Sequence, residues 1–354
     1  MSSNKSKTLY EQDLELYLPT FKRYPLALAR GEGVWVWDVD GNKYLDVLAG
    51  IAVNNLGHCH PDVVKAIQDQ AATLLHISNF YVSEPQVELS RKLTELSGLD
   101  RVFFTNSGAE SVEGAFKVAR KYAHKNDRGG EILAMENSFH GRTLATIATG
   151  KRKYQEGFDP IPTGFRQVPF NDIDVLKKHV SQDTAAVVVE PIQGEGGIHV
   201  ADTSYLEELR ELCDEENVVL IFDEIQCGMG RTGYLFAKDF YGVQPDIVTL
   251  AKGLGAGVPI GAILSNEKVS SAISSGDHGT TFGGNPLVCA AALKSVDLLS
   301  HPEFLENVRH KGEWLRSELE NLRDKHNSIE AVRGRGLMQG VVFDRKAKPL
   351  VDYL

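Results

Sequence analysis

Cysteine is scarce in this chain. Only Cys59, Cys213, Cys227 and Cys289 occur among 354 residues, and no two of them stand in a C-x-x-C spacing. That scatter carries no disulfide framework and suits free thiols in a reducing cytosol. Long apolar runs are missing too: nothing approaches the roughly 18 residues of a membrane-spanning helix. The first ten residues are polar and lack the apolar centre of a signal peptide. The expectation is a cytoplasmic protein with no membrane partner. Positive charge is in the minority, 38 Lys and Arg against 48 Asp and Glu for a net charge of −10, and it is dispersed. No electrostatic footprint for nucleic acid results. His58-Cys59-His60 could suggest a metal, but Pro61 and an amphipathic stretch follow it with no second paired ligand motif. It reads as a loop and a helix start, and no metal is expected.

Hydrophobic residues at 42% and charged residues at 24% are ordinary for a folded soluble chain. The length suits about two domains, each with its own core. Val34–Asp38 and Lys43–Val47 flank Asp40-Gly41, a hairpin signature. Helical spacing runs from Pro61 to Leu75. Strands then alternate with helices: Val102–Phe104, a helix from about Ala109 to His124, Ile132–Met135, Ala185–Val189, a helix Leu206–Glu216, and the apolar runs Val218–Phe222 and Ile247–Ala251. That rhythm predicts a mostly parallel α/β sheet with helices on both faces. After Asn285-Pro286 come a small-residue helix (Leu287–Leu299), an amphipathic helix through Phe304–Leu322 and one glycine-punctuated strand, Gly336–Phe343. A domain boundary is expected near residue 286, with the N-terminal hairpin packing against the C-terminal part. The final segment, Lys348–Leu354, reads as the first turn of a helix without a cap. One strand alone cannot bury its face, so the chain is expected to stop short of its natural end.

The chemistry concentrates at strand ends. Val218–Phe222 ends in Asp223, and Ile247–Ala251 ends in Lys252. Ligands of open α/β sheets bind at that edge. An amine and a carboxylate converging there are what pyridoxal phosphate needs: a lysine for covalent attachment and an acid for the pyridinium nitrogen. Strand-terminal Asp223 could instead cap a helix, and Lys252 could be a surface residue. The loop Gly253-Leu254-Gly255-Ala256-Gly257 favours the cofactor reading, because it leaves room for a bulky ligand beside the amine. Thr105-Asn106-Ser107-Gly108-Ala109 joins a strand to a helix start and is either a phosphate site or a capped turn. Phe139 could cover a flat ring or fill the core, and Arg142 could hold a carboxylate. Glu190 and Glu195 follow another strand in a glycine-rich loop, where Glu195 has either a site role or a solvated one. Gly228–Gly233 spells G-x-G-x-x-G, but a dinucleotide fingerprint needs its first glycine directly after a strand and a helix opening on its third. Asp223–Cys227 intervene here, so nicotinamide or flavin binding is not expected.

Asp223-Glu224-Ile225-Gln226, Gly228–Gly233 and Leu250-Ala251-Lys252-Gly253 together resemble the class III aminotransferases of pyridoxal-phosphate fold type I. Gly31-Glu32-Gly33 and Arg333-Gly334-Arg335-Gly336 extend the resemblance over nearly the whole chain. The resemblance implies a mostly parallel seven-stranded sheet sandwiched by helices (residues 51–285) and a smaller α+β domain built from both termini (residues 1–50 and 286–354, the latter incomplete). It implies Lys252 as the Schiff-base lysine and proton shuttle, Asp223 on the pyridine nitrogen, Gln226 on the ring's phenolic oxygen, and Phe139 stacked on the ring beside His140. Ser107, Gly108 and Ala109 would hold the phosphate. Thr281 would reach the phosphate of a neighbouring subunit, giving a homodimer with shared sites. Arg142, Thr280 and Glu195 would contact substrate, Glu195 as a gate paired with an arginine beyond Leu354.

The sub-motifs Thr105–Glu110, Phe139–Arg142 and His278–Pro286 favour the branch that moves the terminal amino group of N-acetylornithine, or a related acylated diamino acid, to 2-oxoglutarate in arginine biosynthesis. Ornithine or 4-aminobutyrate as donor, and a truncated, poorly active cofactor-binding remnant, are the alternatives.

Overall fold

The computed structural model describes residues 4–353. Its centre is a seven-stranded sheet of β1 (Arg101–Thr105), β2 (Glu131–Met135), β3 (Phe165–Val168), β4 (Thr184–Val189), β5 (Val219–Asp223), β6 (Ile247–Leu250) and β7 (Gly261–Ser265), in the order β1-β7-β6-β5-β4-β2-β3. Every neighbouring pair is parallel except the two that include β7. β4, β5, β6 and β7 are buried at every position. Their mostly apolar sequences are what strands covered on both faces require.

Alternate residues of each strand feed two cores. Leu133, Val187, Val189, Leu220 and Phe222 pack with Leu206 and Leu209 of one helix (Thr203–Glu215). Ile132, Ala186, Val188 and Ile221 pack with Phe116 and Ala119 of another (Gly108–Lys125). The mostly parallel sheet sandwiched by helices is therefore present, as in fold type I.

Two of the seven strands, β3 and β7, carry too weak a pattern to be read from the sequence. β3 is the sheet edge and places Arg166 and Gln167 in its middle. β7 opens on Gly261, where any side chain would collide with Thr105 and Ser111. The C-terminal part also departs from expectation, because two strands follow its long helix rather than one. β8 (Ile329–Arg335) pairs antiparallel with β9 (Met338–Phe343), and both pack on the helix Pro302–Lys325. Its charged residues hide β8: Arg333 meets His199 Nε2 at 3.2 Å, and Arg335 stacks on the Phe240 ring.

The N-terminal hairpin (Trp35–Asp38 with Lys43–Leu45) forms as expected and gains a third strand, Leu28–Glu32. It is tied through Gly33 to His58, whose Nε2 lies 2.7 Å from Asp46. His60 caps the helix Pro61–Ala71, which ends a turn before Leu75. Among the described residues no cluster of three His, Cys, Asp or Glu could hold a metal. The Gly228–Gly233 segment forms turns, and the next helix opens only at Ala237. None of the described helices is long and apolar enough to cross a membrane.

Candidate active site

β5 and β6 are parallel neighbours, with Asp223 in register with Thr249. Their C-terminal ends therefore deliver Asp223 and Lys252 side by side. Lys252 leaves the strand with φ +45°, a left-handed conformation that costs an L-residue about 1 kcal/mol or more. Strain of that kind persists where the surroundings hold it, and here a short 3₁₀ turn over Lys252–Leu254 and the glycine loop do so. A Cβ on Gly255 would overlap the Val258 carbonyl, so only glycine lets this loop fold back. Among the described residues no hydrogen-bond or ion-pair partner reaches the Lys252 amine, which is half-buried and faces a cavity of about 460 Å³.

Ser107, Gly108, Ala109, Phe139, His140, Arg142, Glu195, Asp223, Gln226 and Lys252 all line that cavity. Ten of the twelve residues expected at the site thus converge. Thr280 and Thr281 do not. Thr280 accepts a hydrogen bond from Asn106 Nδ2 at 3.1 Å outside the cavity, and Thr281 is exposed. The cavity wall also includes Val53, Ile225, Val258 and Ile260. Their apolar side chains carry no chemical signature in the sequence. Glu190 lines the cavity as well, and its strand-end position beside Glu195 was the signal that could have marked it.

One end of the cavity is the N-terminus of the helix Gly108–Lys125. Ser107 Oγ caps it by accepting from Glu110 N–H at 3.2 Å. The first two N–H groups, of Gly108 and Ala109, have no acceptor among the described residues and, with the helix dipole, suit an anion. At the other end His140, wholly buried, places Nδ1 2.6 Å from Asp223 Oδ2. Phe139, one residue earlier, borders the cavity with its ring edge-on to Tyr154, and Arg142 sits 4.0 Å over the Tyr154 ring. An anion cradle, an aromatic face, a buried carboxylate and an amine without a partner in one cleft fit pyridoxal phosphate.

Gly194 holds this arrangement from behind, because a Cβ there would land on the Gln226 side-chain amide. Gly194→Ala is expected to leave the fold intact but to push Gln226 out of place; if Gln226 bonds the cofactor, as the family resemblance implies, affinity should weaken about tenfold. A cofactor titration followed by absorbance reads it, and unchanged affinity would remove Gln226 from the site.

Burial lowers the Lys252 amine from its ordinary value, against the opposing pull of Asp223, Glu195 and Glu190. Burial works against the charged His140 ring, but the hydrogen bond and charge of Asp223 and the charge of Glu190 outweigh it and raise the ring above its ordinary value. Burial pushes Glu190 and Glu224 up to about 7. All three groups bind protons more tightly folded than unfolded, so the stability they contribute is present at low pH and lost as pH rises. Burial holds His199 and His278 below their ordinary value, which pulls the other way, so the test isolates one group: between pH 5.5 and 7.5 the melting temperature of the cofactor-free wild type should change less favourably than that of Glu224→Gln. An equal change in both proteins would mean that Glu224 does not take up its proton in this interval.

The sequence profile of the aminotransferase class-III family matches residues 18–353. The chain is 57% identical to an acetylornithine aminotransferase of Methanocaldococcus jannaschii over 344 residues, 96% of this chain and 86% of that one. It is 51% identical to an acetylornithine aminotransferase of Caldanaerobacter subterraneus over 92% of this chain and 84% of the relative. Among solved structures, an ornithine aminotransferase of Toxoplasma gondii superposes with a TM-score of 0.93 at 36% identity, covering 97% of this chain and 83% of that one. An N-acetylornithine aminotransferase of Stenotrophomonas maltophilia gives 0.82 at 38%, covering 97% and 86%. With a family match over nearly its whole length, the chain belongs to the class III aminotransferases, enzymes whose cofactor is pyridoxal 5′-phosphate.

Proposed function

We propose that this enzyme moves the terminal amino group of N-acetylornithine, or a closely related acylated diamino acid, to 2-oxoglutarate, yielding an aldehyde and glutamate, in the cytoplasm as a step of arginine biosynthesis. The observation that carries this reading is the group of eight relatives at 46–57% identity, each named as an acetylornithine aminotransferase.

When bound, the cofactor supplies an electron-withdrawing ring that stabilises negative charge at the reacting carbon. Lys252 anchors the cofactor covalently between turnovers, and its burial-lowered amine then takes a proton from the reacting carbon and returns it. Asp223, ion-paired with His140, keeps negative charge at the ring nitrogen. Gly108 and Ala109 N–H groups would take the phosphate, Phe139 would cover the ring, and Gln226 would hold the ring hydroxyl. Arg142 faces the substrate carboxylate, and exposed Glu195 stands where a gate between amine and oxo-acid substrates is needed. Donor and acceptor then use one site in turn, which gives ping-pong kinetics.

Thr280 and Thr281 have no place in the cavity of a single subunit. Beside them Phe282 is 60% exposed, with Phe80 92% and Val82 80% exposed. A homodimer that covers this apolar surface and lends Thr281 to the neighbouring site accounts for both facts.

Ornithine as donor is the second reading, favoured by the TM-score of 0.93 to the Toxoplasma ornithine aminotransferase. A panel of N-acetylornithine, ornithine and 4-aminobutyrate, each with 2-oxoglutarate, separates them by kcat/KM. Acetylornithine is expected to lead, and a lead by ornithine or 4-aminobutyrate would overturn the assignment.

A further inference from the structure

Glu190 takes no part in the chemistry just described, yet it is among the most constrained charges near the site. It stands directly after β4 and is 5% exposed. Each of its oxygens accepts a backbone N–H from a different loop. Oε2 accepts from Phe139 at 2.9 Å, and Oε1 accepts from Gly194 at 3.3 Å. The Phe139 loop follows β2 and the Gly194 loop follows β4, so one carboxylate joins two crossovers of the sheet.

What those loops carry makes the join functional. Phe139 presents its ring to the cavity, and the next residue, His140, holds Asp223. Gly194 lies against Gln226, and the next residue is Glu195. The Gly194 loop has two other side-chain tethers: Gln193 Nε2 donates to the Glu136 carbonyl at 2.8 Å, and Lys151 Nζ, on the exposed side, donates to the Glu195 carbonyl at 3.0 Å. Neither holds the Phe139 N–H or the Gly194 N–H, which among the described residues only Glu190 accepts. A carboxylate is the side chain suited to this task, since it offers two equivalent acceptors and no donor to two inward-pointing N–H groups.

We propose that Glu190 is a positioning residue that pins the Phe139–His140 segment and the Gly194–Glu195 loop to one point, fixing the ring face, the partner of Asp223 and the substrate gate together. The roles of Phe139 and Glu195 rest on the function proposed above, but the clamp itself does not.

Two variants test the clamp. Glu190→Ala removes both acceptors. Glu190→Gln keeps one acceptor and turns an NH₂ donor toward the other N–H. Amide hydrogen exchange is measured on the cofactor-free protein at pH 8, above the value near which Glu190 titrates. In Glu190→Ala, peptides spanning residues 137–142 and 192–198 should both exchange about tenfold faster, with β4 and β5 unchanged. In Glu190→Gln only one of the two should do so. Pyridoxal phosphate affinity, read by absorbance titration, should fall in both, and KM for 2-oxoglutarate should rise by a larger factor than kcat falls. Wild-type exchange in both loops of Glu190→Ala would overturn the clamp, and so would faster exchange spread evenly through β4 and β5, the mark of a merely structural carboxylate. Where Glu190→Ala does not fold, Glu190→Gln with neither loop faster overturns it. A donor panel won by another amine leaves the exchange result untouched, so the two readings fail separately.

Discussion

Replacing Lys252 with alanine is expected to cut turnover by about 10⁴-fold or more and to leave the protein folded. Two contributions disappear together: the covalent anchor and the proton carrier at the reacting carbon. Proton transfer by a positioned side chain is alone worth about 10²–10⁴-fold, and groups acting as one unit are not restored piecemeal. The fold should survive because no hydrogen bond or ion pair reaches the Lys252 amine among the described residues. Alanine also meets the same left-handed backbone cost that lysine already bears at φ +45°. The phosphate cradle at Gly108 and Ala109 and the Asp223 carboxylate remain, so cofactor should still bind but should no longer be fixed by borohydride. Steady-state kinetics, a thermal melt and borohydride trapping with peptide mapping check this in one set of samples. Activity within tenfold of the wild type would remove Lys252 from its assigned role.

Asp223→Ala should be the second most damaging change, and it should act on stability as well as on rate. The carboxylate lies 2.6 Å from His140 Nδ1, with both side chains almost wholly buried. Removing one member of such a pair strands the other and costs about 3–5 kcal/mol. The His140 ring is held above its ordinary value by Asp223, so the pair stabilises the fold fully at pH below the unfolded-state value. That contribution fades as pH rises through the folded one. In the variant the ring must instead be buried neutral, and charging it becomes costly at low pH. The gap in melting temperature between wild type and Asp223→Ala should therefore be wider at pH 6 than at pH 8. On the proposed role of Asp223, turnover should fall about 10³-fold, since a preorganised, almost wholly buried carboxylate is lost. Asp223→Asn, which keeps the shape, should recover much of the stability and little of the rate. An equal gap at both pH values would show that His140 is not charged by its partner.

How much of this was legible beforehand follows from the range of the interactions involved. β4, β5 and β6 are buried at every position and rich in Val, Ile and Leu, so each stood out, whereas β7, equally buried, opens on glycine and ends on serine and holds only three apolar residues. β3 carries an arginine in its middle and β8 carries two toward its end, and those charges are tolerated because one strand is a sheet edge and the other reaches Phe240 and His199 across the fold. No local pattern records such a partner. The motif glycines were readable as sites of close approach, yet what approaches Gly194 is Gln226, 32 residues later in the chain (226 − 194). Glu190 read as one of two acids in a loop, because one of its two N–H donors, Phe139, lies 51 residues away and reaches it only through the pairing of β2 with β4.

The sequence by itself determined the chemistry: an amine and a carboxylate at adjacent strand ends, a small-residue helix start for a phosphate, and glycines where backbone must yield to a ligand. Those are properties of residue type and of short spacing, and they survive without coordinates. Tertiary structure decided which groups share the cavity and in what state. His140 meets Asp223 across 83 residues of chain, Glu190 joins two crossovers, and Thr281 falls outside the cavity. The physical reason is that burial and pairing set the charge of Lys252, His140 and Glu190, and both are created only when distant strands close into one sheet.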